Sequence, residues 1–323
     1  MTTDTLTSPP AAARPGHVAG AAAAMFLVGT LAAVSGVIAD YPVYGGQAVR
    51  YAAAAVILSV VARAADRGRP PVRLGARGWA LLAALSLTGL VIFNVCVIEG
   101  TRASGPSLVG IVLGTVPLAL AVLGPLASGG ARRAPSARLV AAALVVVAGA
   151  TLATGLGSGS LAGLAWSLGA LACEVCFSLL ALPLLPALGP IRLSARAAAA
   201  AVPFLLVMGA VTDGTGMLRA PTSAEALGLG YLTVVVTVVA FFLWYRSLPR
   251  LGPGRAGLFA GMIPVGAMAT AAVLGRGVPS AADVAGAVIV IAGILIGLSA
   301  PPARAASGTT TGSRRRAPDA ARS

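Results

Sequence analysis

Two charged residues, Glu174 and Arg50, lie inside long apolar stretches and are the residues of this sequence best placed to do chemistry. A charged side chain at the centre of a bilayer costs about 2.5–3.5 kcal/mol on insertion scales, so such residues are rare and usually face a cavity. A carboxyl at that depth that gains and loses a proton is what coupling to a proton gradient requires. Glu174 is therefore a candidate proton-coupling residue. The alternative is a carboxyl that stays protonated and hydrogen bonds to a neighbouring helix.

Arg50 has two interpretations of similar weight. It can hold an anionic group of a substrate or pair with Glu174 or Glu99, or it can extend to the interface and cap backbone carbonyls. Other polar or aromatic side chains within or near apolar stretches are candidates for lining a cavity, although interhelical hydrogen bonding or interfacial anchoring competes with that role. These candidates are Gln47, Tyr51, Asn94, Trp166, Thr237 and Trp244.

The sequence contains no constellation typical of an enzyme. Its single histidine is His17, and no pair of carboxylates or metal-ligand spacing is present. The three cysteines, Cys96, Cys173 and Cys176, fall in apolar segments and are interpreted as small packing residues. A phosphate-binding loop of the Walker type needs a lysine, and the chain has none. We therefore predict no catalytic residue, no metal site and no cofactor.

The composition predicts an all-α integral membrane protein. Hydrophobic residues make up 58% of the 323 residues, charged residues 10%, and the mean hydropathy is +0.93. Long uncharged stretches match the roughly 20 residues that a helix needs to cross the hydrocarbon layer. The sequence predicts ten transmembrane helices, near residues 18–39, 43–62, 78–98, 105–127, 137–155, 161–184, 195–212, 225–245, 255–275 and 282–300.

The two halves of the chain match each other. Five glycines and prolines recur with a shift of 147 positions: Gly105, Pro106, Gly110, Gly114 and Pro117 return as Gly252, Pro253, Gly257, Gly261 and Pro264. Further on, Ala148-Gly149 returns as Ala292-Gly293. We predict two repeats of five helices, over residues 18–156 and 157–300, flanked by disordered tails at 1–17 and 301–323.

The arginines predict the orientation of these repeats. All 23 basic residues are arginine; with both termini inside, 19 fall in cytoplasmic segments and three, Arg102, Arg219 and Arg276, fall outside. The connection at 63–77 carries five arginines, whereas its partner at 213–225 carries one. Five helices per half is an odd number, so the repeats are predicted to be inverted. The positive-inside bias also explains the net charge of +14, and no nucleic-acid partner is needed.

Paired motifs in the fourth and ninth predicted helices favour close packing and bending. Gly110 with Gly114, and Gly257 with Gly261, have the spacing that lets two helices approach closely. The partner helix can belong to the same chain or to a second copy, so the protein is predicted to be a monomer or a homodimer. Pro117 and Pro264 each remove a backbone hydrogen bond and can kink their helices, either as a hinge or as a static bend.

These residues resemble the EamA-type proteins of the drug/metabolite transporter superfamily. The similarity lies in Thr237–Leu248, Leu251–Pro253, Ile263-Pro264 and Ala292–Gly297, in the order of that family's eighth to tenth helices, and in Arg50–Ala54. The sequence departs from the family in having Arg276 after Gly275, where a glutamate is frequent, and Cys173–Cys176 where relatives often have a tryptophan. No role of that glutamate is carried over.

The resemblance implies a transporter in the cytoplasmic membrane whose partners are a small-molecule substrate and the lipid bilayer. The expected function is secondary active export of a metabolite, amino acid or drug by alternating access, with proton coupling through Glu174 as one option. A passive channel or membrane scaffold is the main alternative, and an integral-membrane transferase is a weaker one. The substrate is left open.

Overall fold

The protein is helical throughout the part of the chain that the structure describes. The structure is a computed structural model and describes residues 15–65, 73–127, 137–154, 160–275 and 280–299, among which no strand occurs. Eight helical segments are long and apolar enough to cross a membrane, and Leu108–Gly124 and Ala137–Leu152 are shorter apolar helices. The prediction of an all-α, multi-pass membrane protein is confirmed at this level. Both predicted tails, apart from residues 15–17, lie outside the described residues.

The first half of the chain contains six α-helices and one π-helical segment. The helices are α1 (Pro15–Ser35), α2 (Val43–Ala65), α3 (Ala76–Ser86), α4 (Phe93–Gly114), α5 (Val116–Ala127) and α6 (Ala137–Thr154). The first π-helical segment, Leu87–Ile92, joins α3 to α4 without a break.

Among the described residues, the second half contains seven α-helices, one π-helical segment and two short 3₁₀ turns. Its helices are α7 (Leu161–Ala181), α8 (Leu185–Thr212), α9 (Ser223–Tyr231), α10 (Ala240–Leu251), α11 (Pro253–Leu258), α12 (Met262–Val273) and α13 (Ala281–Leu298). The second π-helical segment, Leu232–Val239, joins α9 to α10. Short 3₁₀ turns at Gly214–Leu218 and Phe259–Gly261 complete the half.

Side-chain caps begin three of these helices. The Ser160 side chain accepts a hydrogen bond from the backbone of Gly163 at the start of α7. Capping boxes begin α9, with Thr222 and Glu225, and α13, with Ser280 and Asp283. Each cap satisfies backbone N–H groups that the first helical turn leaves without partners.

Two tight connections depend on glycine. Gly252 separates α10 from α11 with φ 77°, and Gly189 interrupts α8 with φ 67°. Residues with a Cβ rarely adopt this left-handed region, so glycine allows the chain to reverse within a few residues. The seventh span therefore begins after Gly189, close to the predicted 195–212.

The segment assigned to α4 is not a straight rod. A Cβ built on Gly100 would lie 3.0 Å from Val109 Cγ2, whereas nine residues of a straight helix span about 13.5 Å. The chain must therefore reverse between these two residues. The third and fourth predicted spans were expected to meet in a link at this place.

Both prolines singled out in the sequence lie just after an interruption of their helices. Pro117 is the second residue of α5, after the break at Thr115, and Pro264 is the third residue of α12, after the turn at Phe259–Gly261. A proline in the first turn of a helix loses no hydrogen bond, because that N–H has no helical partner. Each proline therefore starts a new helix within its span and does not bend a continuous one.

The helices pack in pairs around one core. α2 packs on α8, α6 on α13 and α5 on α11, while α1 contacts α10 and α12, and α7 contacts α3, the first π-helical segment and α4. The largest fully buried side chains include Tyr245, Phe259 and Leu58. This packing places the two π-helical segments near the centre of the molecule.

A polar cluster clamps the connection after α1 to the connection after α8. The Tyr41 hydroxyl donates to the Arg219 carbonyl at 2.8 Å, and the Arg219 guanidinium donates to the Asp40 carbonyl at 3.1 Å. Arg219 also forms a bidentate pair with Glu225. These hydrogen bonds to Glu225 raise the pKa of Arg219, so the Arg219 guanidinium keeps its positive charge.

Candidate functional site

A cavity of about 200 Å³ lies in the middle of the helical assembly. Helices from both halves contribute to its wall: α1, α2, α4, α5 and the first π-helical segment from one half, and α7, α10, α12 and the second π-helical segment from the other. Most of its lining is apolar, with a few polar groups. This composition is typical of small-molecule sites in proteins.

Arg50 lies on the cavity wall and is held there by neutral partners. Its side chain is 4% exposed. Its Nε donates to Thr237 Oγ1 at 2.7 Å, its Nη1 donates to Gln47 Oε1 at 3.1 Å, and the guanidinium carbon lies 5.1 Å from the centroid of the Tyr51 ring. Gln47 and Thr237 were predicted to line a cavity, and in the structure they orient the arginine that lines it.

Glu174 reaches the same cavity from α7, in the other half of the chain. Its carboxyl makes no hydrogen bond to any residue that the structure describes, so the interpretation as a carboxyl hydrogen-bonded to a neighbouring helix finds no support there. Ion pairs in the described part of the chain join Arg102 to Glu99 and Arg219 to Glu225. Arg50 therefore pairs with neither Glu99 nor Glu174.

Two π-helical segments form opposite parts of the cavity wall, and both begin with the dipeptide Leu-Thr. Thr88 and Thr233 each donate a hydrogen bond of 2.7 Å to the carbonyl four residues earlier. In the second segment, Thr237 Oγ1 donates to the Leu232 carbonyl at 3.0 Å. π-Helical turns occur frequently at functional sites because they redirect side chains within a helix.

An aromatic cluster beside the cavity was not identified from the sequence. Phe177 lies 5.5 Å from both Phe241 and Tyr245, measured between ring centroids, and Phe241 and Tyr245 are 6.1 Å apart. Phe177 and Phe241 line the cavity. A side chain at Gly89 would overlap the Phe177 ring, so this glycine makes room for the cluster. In the sequence, the one sign of this cluster was Gly89, a glycine within the apolar third predicted span.

The remaining predicted cavity residues divide into two groups. Tyr51, Asn94 and Trp244 line the cavity, and Trp244 Nε1 is buried with no hydrogen-bond partner in the described part of the chain. Asn94 Nδ2 donates to the Leu90 carbonyl at 2.6 Å. Trp166 is 40% exposed on α7 and does not line the cavity. The two tryptophans differ in the direction in which their side chains point: Trp244 points into the cavity and Trp166 does not.

The glycine motifs lie at contacts between helices of this chain. A Cβ on Gly257 would lie 2.8 Å from Leu120 Cβ, and one on Gly261 would lie 2.5 Å from Val146 Cγ1. A Cβ on Gly114 would lie 3.3 Å from Ala150 Cβ. Gly110 is half-buried on α4. Because Leu120 belongs to α5, Gly257 lies at a contact between the two halves of the chain.

Comparisons with known proteins agree with this architecture. Residues 153–298 match the EamA-like transporter family. Over 261 residues the chain is 25% identical to "Uncharacterized transporter YetK" of Bacillus subtilis (strain 168), a match that covers 78% of each protein.

A protein of known crystal structure has the same fold. It superposes with a TM-score of 0.70 at 19% sequence identity, over 88% of this chain and 96% of its own. The resemblance to EamA-type proteins stated from the sequence is confirmed: residues 153–298 match the EamA-like transporter family, and the curated relative is named as a transporter.

Proposed function

We propose that the protein is a secondary active transporter that exports a small organic solute across the cytoplasmic membrane by alternating access. The observation that carries this proposal is the central cavity, which holds Arg50 and Glu174 on helices from opposite halves. Transporters built from repeats bind their substrates near the membrane midplane, between the repeats. The orientation, with both termini in the cytoplasm, rests on the distribution of arginines.

The two halves are proposed to be inverted repeats of five helices each, and the contact between α6 and α13 supports this. A Cβ on Gly149 would lie 2.7 Å from the Val290 nitrogen and 2.8 Å from the Gly286 carbonyl oxygen. On the facing helix, a Cβ on Gly293 would lie 2.9 Å from the Val146 nitrogen and 3.1 Å from the Ala142 carbonyl oxygen. Each of these residues in α6 has its partner 144 positions later, as expected for a twofold relation between the halves.

The packing of the remaining helices supports an alternating-access mechanism. α5 and α11 pack against each other, where Gly124 approaches Pro253 and Gly254 approaches Ala121. Elsewhere, α4 packs on α7 while α12 packs on α1. We infer that the α5–α11 contact closes the cytoplasmic side, so that inward opening requires α5 and α11 to separate. The interruptions that precede Pro117 and Pro264 lie where this contact borders the cavity, since Val116 and Ile263 line the cavity.

Glu174 and Arg50 have separate roles in the proposed cycle. Glu174 has no hydrogen-bond partner among the described residues and can exchange a proton with the cavity. Arg50 is permanently charged and is oriented by Gln47 and Thr237, so it interacts with the solute. Binding and release of the proton at Glu174 then couples the proton gradient to the export of solute.

The test is a counterflow screen with the purified full-length protein in proteoliposomes, using amino acids, nucleosides and cationic drugs at two pH values. Saturable counterflow of at least one solute is expected, with a rate that differs between the two pH values. Flux that does not saturate would favour a channel. The absence of flux for every solute would contradict the transport proposal and favour a scaffold.

A further inference from the structure

Arg50 leaves donor groups free at the cavity wall. The guanidinium has five N–H groups and stays protonated under all ordinary conditions. Nε and Nη1 donate to the neutral acceptors Thr237 and Gln47, while Nη2 has no hydrogen bond among the described residues. Nη2 is not enclosed by protein atoms, and Arg50 lines the cavity. Nη2 is therefore accessible from the cavity. A ligand in the cavity can therefore accept a hydrogen bond from this charged group.

The positive charge of Arg50 has no ionic partner within the described chain. The other charged group on the cavity wall is Glu174, which forms no ion pair with it. A buried cation that is not matched by an anion is costly in a medium from which water is excluded. The site is therefore electrostatically incomplete, and an anion in the cavity would complete it.

The rest of the wall fits an aromatic body. Five aromatic side chains face the cavity: Tyr51, Phe93, Phe177, Phe241 and Trp244. Aromatic rings pack against one another in tilted or edge-to-face arrangements, as Phe177 and Phe241 already do at an interplanar angle of 55°. The Trp244 ring adds aromatic surface to this wall, while its indole N–H is enclosed and has no hydrogen-bond partner among the described residues.

We propose that the cavity binds a monoanion that consists of one aromatic ring and one carboxylate or a group of equivalent charge. This inference rests on the proposed function, because Glu174 is assigned there to the proton. With Glu174 protonated, the charge of the wall is that of Arg50 alone, and one negative charge neutralises it. The cavity volume of about 200 Å³ exceeds the roughly 150 Å³ of an apolar cavity that encloses benzene, which leaves room for one charged group.

An ammonium group on the ligand is disfavoured in this site. Next to Arg50 it would meet a like charge, and its one ionic acceptor would be Glu174 in the ionised form. A zwitterion would therefore compete with the proton for Glu174, whereas a monoanion would not. The relative affinities of an acid, an amide, an amine and an amino acid with the same ring thus distinguish these possibilities.

The experiment measures binding to the purified full-length protein in detergent by isothermal titration calorimetry at pH 7. The probes are phenylacetate, the neutral phenylacetamide, the cation phenethylamine and the zwitterion phenylalanine. Phenylacetate is expected to bind at least about tenfold more tightly than each of the other three, a difference of about 1.4 kcal/mol. Equal affinity for phenylacetamide, tighter binding of the amine or the amino acid, or no binding of phenylacetate would overturn the proposal.

A pair of variants assigns the effect to Arg50. Arg50→Gln is expected to remove the preference for phenylacetate over phenylacetamide while leaving the affinity for phenylacetamide within about twofold. Arg63→Gln changes the same residue type on the same helix at an exposed position and is expected to keep the preference. A preference that persists in Arg50→Gln would overturn the assignment. If Arg50→Gln does not fold, the comparison of the four probes on the native protein still decides the proposal.

Failure of the inferred ligand class and failure of the proposed transport function give different results. If phenylacetate binds as expected but no solute shows counterflow, the inferred ligand class stands and the transport function is wrong. If other solutes show saturable counterflow while phenylacetate neither binds nor competes, the transport function stands and the inferred ligand class is wrong.

Discussion

At the scale of residues, the fold brings two charged side chains, Arg50 and Glu174, to the wall of one cavity, although they are 124 positions apart in the chain. Glu174 on α7 has no hydrogen-bond partner among the described residues, whereas Arg50 on α2 is fixed by two. This difference separates their proposed roles, because a proton carrier needs freedom to exchange with the cavity and a binding group needs a fixed orientation. Substitutions at the two positions should therefore have different consequences.

Replacing Glu174 by glutamine should abolish pH-driven transport while leaving expression unchanged, since the amide keeps the shape of the side chain but cannot release a proton. Transport is measured in proteoliposomes with and without an imposed pH gradient. Glu99→Gln is the matched control, because Glu99 pairs with the exposed Arg102 and does not line the cavity. Full dependence on the pH gradient in Glu174→Gln would refute the proton-coupling role.

Replacing Thr237 by valine should destabilise the protein more than the same change at Thr233. Both threonines are buried on the second π-helical segment and donate to backbone carbonyls, but Thr237 alone also accepts from Arg50. Loss of a hydrogen bond to a charged group costs about 1.5–3 kcal/mol. The free energy of unfolding in mixed micelles should therefore fall by about that much more in Thr237→Val. Equal losses would show that the bond to Arg50 contributes nothing measurable.

At the scale of elements, backbone approaches between equivalent helices hold the halves together. Helices in lipid gain stability from close packing of small residues, since lipid tails are as apolar as the helices themselves. The contact between α6 and α13 shows this most clearly, because Gly149 and Gly293 each face backbone atoms of the opposite helix. Backbone atoms cannot rotate away from an added methyl group, so the helices would have to separate.

Gly149→Ala and Gly293→Ala should each lower the free energy of unfolding, by about 1–3 kcal/mol as for other overpacked sites. The two losses should be similar, because the two positions are related by the repeat. Gly230→Ala is the control: Gly230 is exposed on α9 and nothing lies within 4 Å of the added Cβ. Thermal unfolding of the purified variants measures the three effects. A neutral result at either tight position would contradict the packing seen in the structure.

At the scale of the whole molecule, the proposed inverted repeat predicts the side on which each connection lies. The connection at 63–77 and its counterpart at 213–225 must face opposite compartments if five helices separate them. Their charge content already differs in the expected sense. This topology also determines which side of the cavity the α5–α11 contact closes.

Single cysteines at exposed positions of these connections test the topology. Arg73→Cys and Thr215→Cys both lie at exposed sites, and Cys96, Cys173 and Cys176 are first replaced by alanine. In intact cells, a thiol reagent that does not cross membranes should label Thr215→Cys and leave Arg73→Cys unlabelled until the cells are opened. Labelling of both positions from the same side would exclude the inverted arrangement.

The sequence by itself determined the class of the molecule and the position of its spans. Each apolar segment must satisfy its own backbone hydrogen bonds in lipid, so length and hydropathy predict helices locally. Eight long apolar helices and two shorter ones occur where these properties placed them. The residues quoted for the resemblance also sufficed to recognise the similarity to EamA-type proteins that the comparisons report. Even the tight reversal between Gly100 and Val109 falls at the predicted link.

The tertiary structure alone decided which side chains meet. Both tryptophans lie on membrane-spanning helices, and hydropathy alone does not show that Trp244 lines the cavity while Trp166 is exposed. The rotation of each helix about its axis is set by contacts with distant segments, such as Gly89 against Phe177, and by the two π-helical segments. These contacts join residues far apart in the chain, and for that reason the cavity and its ligand chemistry emerge only from the folded molecule.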